Sequence, residues 1–308
     1  MTAIITDPFK KQLAQTVFDE SRLGNARYYI GIGRSEQWNA TETVPDPTDT
    51  PRTVRNFRAG LQSIKSATDL TFVIPRYNWS SGAFYNAFDD DFASIPATNS
   101  YYVLTEDNQV YICLQQGKSA TGTANASTVK PTGTTTKPFK TADGYVWKFL
   151  YSLSAARASK FLSSNFVPIE KVLDSAGGAG LSTIEVQQAS VQDSAVPGQV
   201  LGIAVTTAGT GYTSTPTVTI EGDGVRAAAT ATVSGGAIVK IELDSSTDSA
   251  MAMGQGYNFA SVSITGGGGS NAAARAILGP KDGIGADPRD EMKSTSLMFN
   301  AKPNGIED

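Results

Sequence analysis

The sequence contains no histidine and one cysteine, Cys113, and these two gaps exclude more chemistry than any residue present suggests. Without imidazole there is no Ser-His-Asp triad, no Cys-His pair and no histidine metal ligand. One thiol forms neither an intramolecular disulfide nor a thiolate zinc cage, which fits folding in a reducing compartment. No side chain has an ordinary pKa between 5 and 8, so little response to pH in that range is expected. Charge is sparse as well, with 18% charged residues and a net charge of −4, which leaves no electrostatic footprint for nucleic acid. No apolar run approaches the roughly 18 residues of a membrane span. The opening residues lack the basic region and apolar core of a signal peptide. At 40% hydrophobic over 308 residues, the chain can bury about three-quarters of its unfolded surface without metal or disulfide staples.

Helix signals come first. Asp7 as N-cap and Pro8 at the first helical position precede a stripe of Phe9, Leu13, Val17 and Phe18, closed by Gly24. Ala26 to Gly33, aromatic and β-branched, reads as a buried strand. The turn-rich stretch Asp46 to Pro51 leads into a second expected helix, Thr53 to Lys65, with Phe57, Leu61 and Ile64 on one face. Strands follow at Leu70 to Ile74 and in a hairpin, Tyr101 to Leu104 and Gln109 to Leu114, around Asp107-Asn108. Gln115 to Thr136 reads as a solvated loop. Gly144 to Tyr151 is an aromatic strand with Tyr145, Trp147 and Phe149 on one face, and Ser154 to Leu162 a short helix.

Beyond Ser194 the sequence repeats itself. Gly209-Thr210-Gly211-Tyr212 recurs as Gly254-Gln255-Gly256-Tyr257, Thr217 to Ile220 as Ser261 to Ile264, and Ala227 to Ala229 as Ala272 to Ala274, at offsets of 44 or 45. The alternation of Leu201, Ile203 and Val205, and of Val239, Ile241 and Leu243, is that of strands. After a Gly- and Pro-rich connector, Thr295 to Asn300 reads as one more strand returning to the N-terminal core.

Candidate chemistry is thin. Gly31-Ile32-Gly33 lacks the third glycine of a dinucleotide fingerprint and no helix opening follows it. Asp89-Asp90-Asp91 lacks the alternation and turn glycine of a calcium loop and reads as a solvated acidic loop. Cys113 on its strand reads as a small buried hydrophobe. No carboxylate pair stands out for glycoside hydrolysis. Tyr212 and Tyr257 admit two readings: exposed platforms for sugars, or plugs packed over glycine.

Four stretches carry a resemblance: Tyr29-Ile30-Gly31-Ile32-Gly33-Arg34-Ser35-Glu36-Gln37-Trp38, Val73-Ile74-Pro75-Arg76-Tyr77-Asn78-Trp79, Tyr111-Ile112-Cys113-Leu114 and Asp143-Gly144-Tyr145-Val146-Trp147. In this order, over about Tyr28 to Pro168, they resemble the baseplate wedge proteins, products of gene eight, of T-even-like contractile-tailed bacteriophages. The Gly-Tyr repeats depart from that family and look more like repeats of other phage structural proteins. The resemblance implies a non-enzymatic homodimeric subunit of the virion's tail baseplate, assembled in the host cytoplasm, contacting other wedge proteins and helping relay the change that triggers sheath contraction. No cofactor, metal, nucleic acid, membrane or small-molecule substrate is expected.

The expected fold is mainly β: a layered β-sandwich with two helix-bearing segments (1–193), a Gly-rich β repeat module (194–279), and a connector with a C-terminal strand (280–308). Interface candidates follow two strand exits, Arg34, Glu36 and Trp38, and Arg76, Tyr77 and Trp79, with an arginine stacked on a Trp ring and forked to Glu36. Tyr145 and Trp147 join them if any part of that face is left exposed. The alternative function is a carbohydrate-binding adhesin or tail fibre-like module, with a hydrolase a distant third.

Overall fold

The computed structural model describes residues 6–22, 24, 28–33, 50–67, 69–246 and 249–301. Strands predominate, in several antiparallel sheets with five helices among the described residues and no closed barrel, so the fold is mainly β. None of these helices is long and apolar enough to cross a membrane. Two compact units are formed, Met1–Val73 with Thr295–Asp308, and Ile74–Ser294. Compositional boundaries at 193 and 279 fall inside the second.

In the first unit, α1 (Asp7–Arg22) sets Phe18 against Phe72, ring centroids 5.2 Å apart. β1 (Tyr29–Gly33) forms, but it is not buried: among the described residues it pairs with the strand that follows α2 alone, and Tyr29 and Ile32 are exposed. The helix expected to reach Lys65 stops early. α2 (Pro51–Ala59), capped by the Thr50 hydroxyl, ends at Gly60, and β2 (Leu61–Ser66) turns back along β1. Leu61 and Ile64 fit a helical face with Phe57, but the six residues also alternate half-buried and exposed, and pairing with β1 satisfies their backbone. β3 (Asp69–Pro75) ends at its proline.

The second unit opens with an aromatic sheet. β4 (Tyr102–Leu104) and β5 (Gln109–Gln115) form the expected hairpin, with Asn108 in the left-handed region at φ 57°. β6 (Phe139–Lys140) and β7 (Val146–Ser152) complete the order β4-β5-β7-β6. The preceding loop is strapped down rather than free. Asp143 Oδ2 accepts from Ser127 Oγ (3.2 Å), Thr128 N (2.8 Å) and Val129 N (3.0 Å), and Asp143 Oδ1 from Thr141 Oγ1 (2.5 Å). Burial pushes this carboxyl up, but those donors hold it below the ordinary range. α3 (Ala155–Phe161) starts at the Ser154 cap, and β8 (Phe166–Ile169) follows. α4 (Thr183–Asp193) opens with a capping box, Ser182 with Glu185, and carries Val191 into the core formed by Tyr85, Val103, Tyr111, Cys113, Tyr145, Trp147 and Phe149.

The repeat comprises β9 (Val200–Thr210), β10 (Thr217–Gly222), β11 (Val225–Ala227), β12 (Ala229–Ser234), β13 (Ala237–Leu243), β14 (Met253–Gln255), β15 (Ala260–Thr265) and β16 (Ser270–Leu278). Its two copies are woven through each other. β10 pairs antiparallel with its own equivalent β15, Val218 with Ile264 and Ile220 with Val262, so the pair Thr219 and Ser263 marks a local two-fold axis. Around it β9 of the first copy pairs with β16 of the second, while β13 and β14 of the second pair with β12 and β11 of the first. Even the register slip is duplicated, between Ile277 and Leu278 in one ladder and between Thr232 and Val233 in the other.

The tyrosines obey the same exchange. Tyr212 lies over Gly269 of the second copy and Tyr257 over Gly224 of the first, both rings buried, and a β-carbon on either glycine would overlap the ring. They are plugs over glycine, not exposed sugar platforms. Gly224→Ala and Gly269→Ala are each expected to destabilise by about 1–3 kcal/mol through overpacking. Thermal denaturation of the two variants checks this; one silent substitution would contradict reciprocal packing.

Repeat and sandwich form one unit because polar clasps join them. Arg275 of β16 pairs with Asp89 and with Asp90 (2.8 Å), and Gln115 Nε2 donates to Glu242 Oε1 (2.7 Å). Burial pushes the Asp89 carboxyl up, yet Arg275 and the Asp91 amide hold it below its ordinary value. Asp90 and Asp91 are exposed, as expected of a solvated acidic loop, while Asp89 is half-buried against Arg275. The unit closes with α5 (Pro288–Glu291). In the first unit, β17 (Ser296–Asn300) lies antiparallel on β3, Leu297 opposite Phe72.

Candidate interaction site

Three of the residues expected at an interface, Arg34, Glu36 and Trp38, lie outside the described residues, as does the pairing of an arginine with Glu36. The second strand exit is internally stapled. Arg76 donates through Nε to Asn78 Oδ1 and through Nη1 to the Ser163 carbonyl, both at 2.9 Å. Tyr77 meets the edge of Tyr102 at 5.6 Å. Trp79 donates from Nε1 to Ser127 Oγ (3.1 Å), and its amide donates to the Leu104 carbonyl (2.9 Å). All three are half-buried, with only part of each side chain left to meet a partner.

Tyr145 and Trp147 are fully buried. Trp147 stacks on Tyr145 at 5.7 Å and takes the edge of Tyr85 at 5.5 Å. The whole face is core: β5 extends it with Tyr111 and Cys113, Val191 of α4 and Trp79, Ala83 and Tyr85 pack against it, and neither residue reaches the surface of the folded chain. Cys113 lies in the same core, its thiol pushed far up by burial.

Large apolar side chains are exposed in both units, Leu173, Phe259 and Val225 among them in the second and a larger set in the first. Tyr29 is 60%, Phe57 64% and Ile64 59% exposed, and Phe9, Leu13, Ile32 and Val54 are exposed as well. None of the residues of α2 is buried. Arg52, Arg55, Arg58 and Lys65 accompany these groups, and residues 50–66 contain no acid. Strand alternation puts Tyr29 and Ile64 on one face of the β1–β2 sheet and Ile32 and Lys65 on the other, and α2 adds Phe57 with three arginines. The sequence reading places Phe57, Leu61 and Ile64 on one face of a single helix, whereas the chain turns back into β2 at Leu61.

Two buried charges were also missed. Lys148, on β7, is buried and donates from Nζ to the Thr136 carbonyl at 2.6 Å. Burial pushes it down to about 8, against the pull of Glu291. Glu291, in α5, accepts from the amides of Gly285 (2.5 Å) and Asp287 (3.3 Å), and its Oε2 has no hydrogen-bond partner. Burial pushes this carboxyl up to about 7, against the Gly285 amide and Lys148. Burial moves a lysine and a glutamate toward the range that histidine usually occupies.

No protein-family model matches the chain, and no curated protein matches it.

Proposed function

We propose that the protein is a non-enzymatic structural subunit of a contractile phage tail baseplate wedge, associating with a second copy of itself and with other wedge proteins and helping to pass on the change that triggers sheath contraction. The observation that carries this reading is the exposure of Phe57 on α2 and of Tyr29 and Ile64 on one face of the β1–β2 sheet. A nine-residue helix with no fully buried residue, beside a two-stranded sheet that pairs with no further strand among the described residues, is marginal in water. A partner with an apolar centre and an acidic rim would supply the missing burial. The four ordered motifs between Tyr29 and Trp147 point to the wedge family, and burial of Tyr212 and Tyr257 weighs against repeats that hold sugars on exposed aromatic rings.

Phe57→Asp combined with Ile64→Asp tests the reading. Both side chains are exposed, so the melting temperature of the isolated protein should change little. Association, read by sedimentation and by co-purification with the neighbouring tail proteins, should weaken by about 30-fold or more, as at an interface hot spot. A wild-type chain that sediments as a lone monomer and captures none of those proteins would overturn it.

A further inference from the structure

The two copies of the repeat keep one register, so the places where they differ stand out. Arg226 and Asn271 occupy equivalent positions, both with left-handed backbone, φ 71° and 64°. Asparagine adopts that conformation readily and arginine does not. Strain at one copy alone points to a use for its side chain. The second departure is in length: from Leu243 to Met253 the chain is seven residues longer than along the equivalent path from Val205 to Ala208.

Both departures border the same cleft of about 280 Å³. Arg226, Lys137 and Lys148 line it, and no Asp or Glu does among the described residues. Lys148 uses one donor on Thr136, and an ammonium group has three.

We propose that this cleft binds an acidic monosaccharide unit, its carboxylate held between Arg226 and Lys148 and its hydroxyl groups met by the amides of Gln199 and Gln255. A guanidinium fork matches a carboxylate in shape and charge. The cleft is larger than an inorganic anion needs, and Met251 and Met253 in its wall offer an apolar surface to the carbons of a sugar ring. Binding occurs without turnover and does not depend on the wedge assignment, since the cleft and the exposed apolar surface belong to different units.

Isothermal titration of the full-length chain with glucuronate, a uronate-containing oligosaccharide, glucose and inorganic phosphate tests the proposal. Glucuronate or the oligosaccharide should bind, and glucose and phosphate should bind far more weakly. Tighter binding of the oligosaccharide identifies a polysaccharide residue as the ligand; equal binding identifies the free sugar acid. Arg226→Asn installs the residue of the other copy, so it should leave the melting temperature unchanged or raised while weakening binding by about tenfold or more. Arg226→Gln, which keeps much of the side-chain length without the charge, should weaken binding equally. Failure of both acidic probes to bind at millimolar concentration, binding of phosphate or glucose as tight as the acid, or full affinity in either variant would overturn the proposal.

Discussion

Alanine in place of Trp147 is expected to destabilise the protein by about 3–5 kcal/mol, the range for emptying a large aromatic site in a closed core. The three tyrosines of this core are held by their hydroxyls: Tyr145 donates to the Asn125 carbonyl at 2.8 Å, Tyr85 accepts from the Ser80 amide at 2.7 Å, and Tyr111 donates to the Gly133 carbonyl at 2.7 Å. The cavity therefore stays open and its lining loses contact on one side. Trp147→Phe should be much milder. The indole Nε1 is buried without a hydrogen-bond partner, so its removal relieves an unsatisfied donor worth about 1–3 kcal/mol and offsets part of the lost area. Denaturant unfolding of the two variants checks the order. Unchanged stability in the alanine variant, with association lost, would assign Trp147 to an interface instead.

Glu291→Gln is expected to change how stability depends on pH. The folded carboxyl is raised from 4.5 to about 7, so between these values the folded protein holds a proton that the unfolded chain has released. Stability contributed by the protonated acid is complete below the unfolded value and is lost as pH rises through 7, by roughly 3 kcal/mol over the window. Lys148 acts in the opposite sense at higher pH. Lowered from 10.5 to about 8, it is deprotonated in the folded protein while the unfolded chain still binds its proton, so stability rises with pH from about 8 to 10.5. These two groups place a stability minimum between about 7 and 8 in the wild type. In Glu291→Gln the decline on the acid side should vanish and the rise on the basic side should remain. Denaturation midpoints measured on both sides of neutrality decide it, and a variant whose curve tracks the wild type would rule out this origin.

Local periodicity made much of the fold legible. The hairpin at Asp107-Asn108, the aromatic strand around Trp147, the Ser154 cap and the repeat offsets each rest on neighbouring residues whose preferences agree with their surroundings. Residues 61–66 were misread because leucine and isoleucine three apart satisfy both a helical stripe and an alternating strand, and only the presence of β1 opposite them decides between the two. The capping box at Ser182 and Glu185 was a readable helix signal that went unused. The buried pair of Lys148 and Glu291, and the cationic lining around Arg226, carry no local signal. Residues between 136 and 291 in the sequence meet there only after folding, so a lysine in an aromatic strand gives no hint of what lies against it.

The exchange of strands between the two copies has a consequence for synthesis. As the chain leaves the ribosome, the segment from Val200 to Ser234 emerges with each of its edges waiting for a sequence not yet translated. The β12–β13 pair can close once Leu243 has emerged, but β9 waits for β16, so completion of the weave waits for Leu278 and until then the edge of β9 is open to capture by a neighbouring polypeptide.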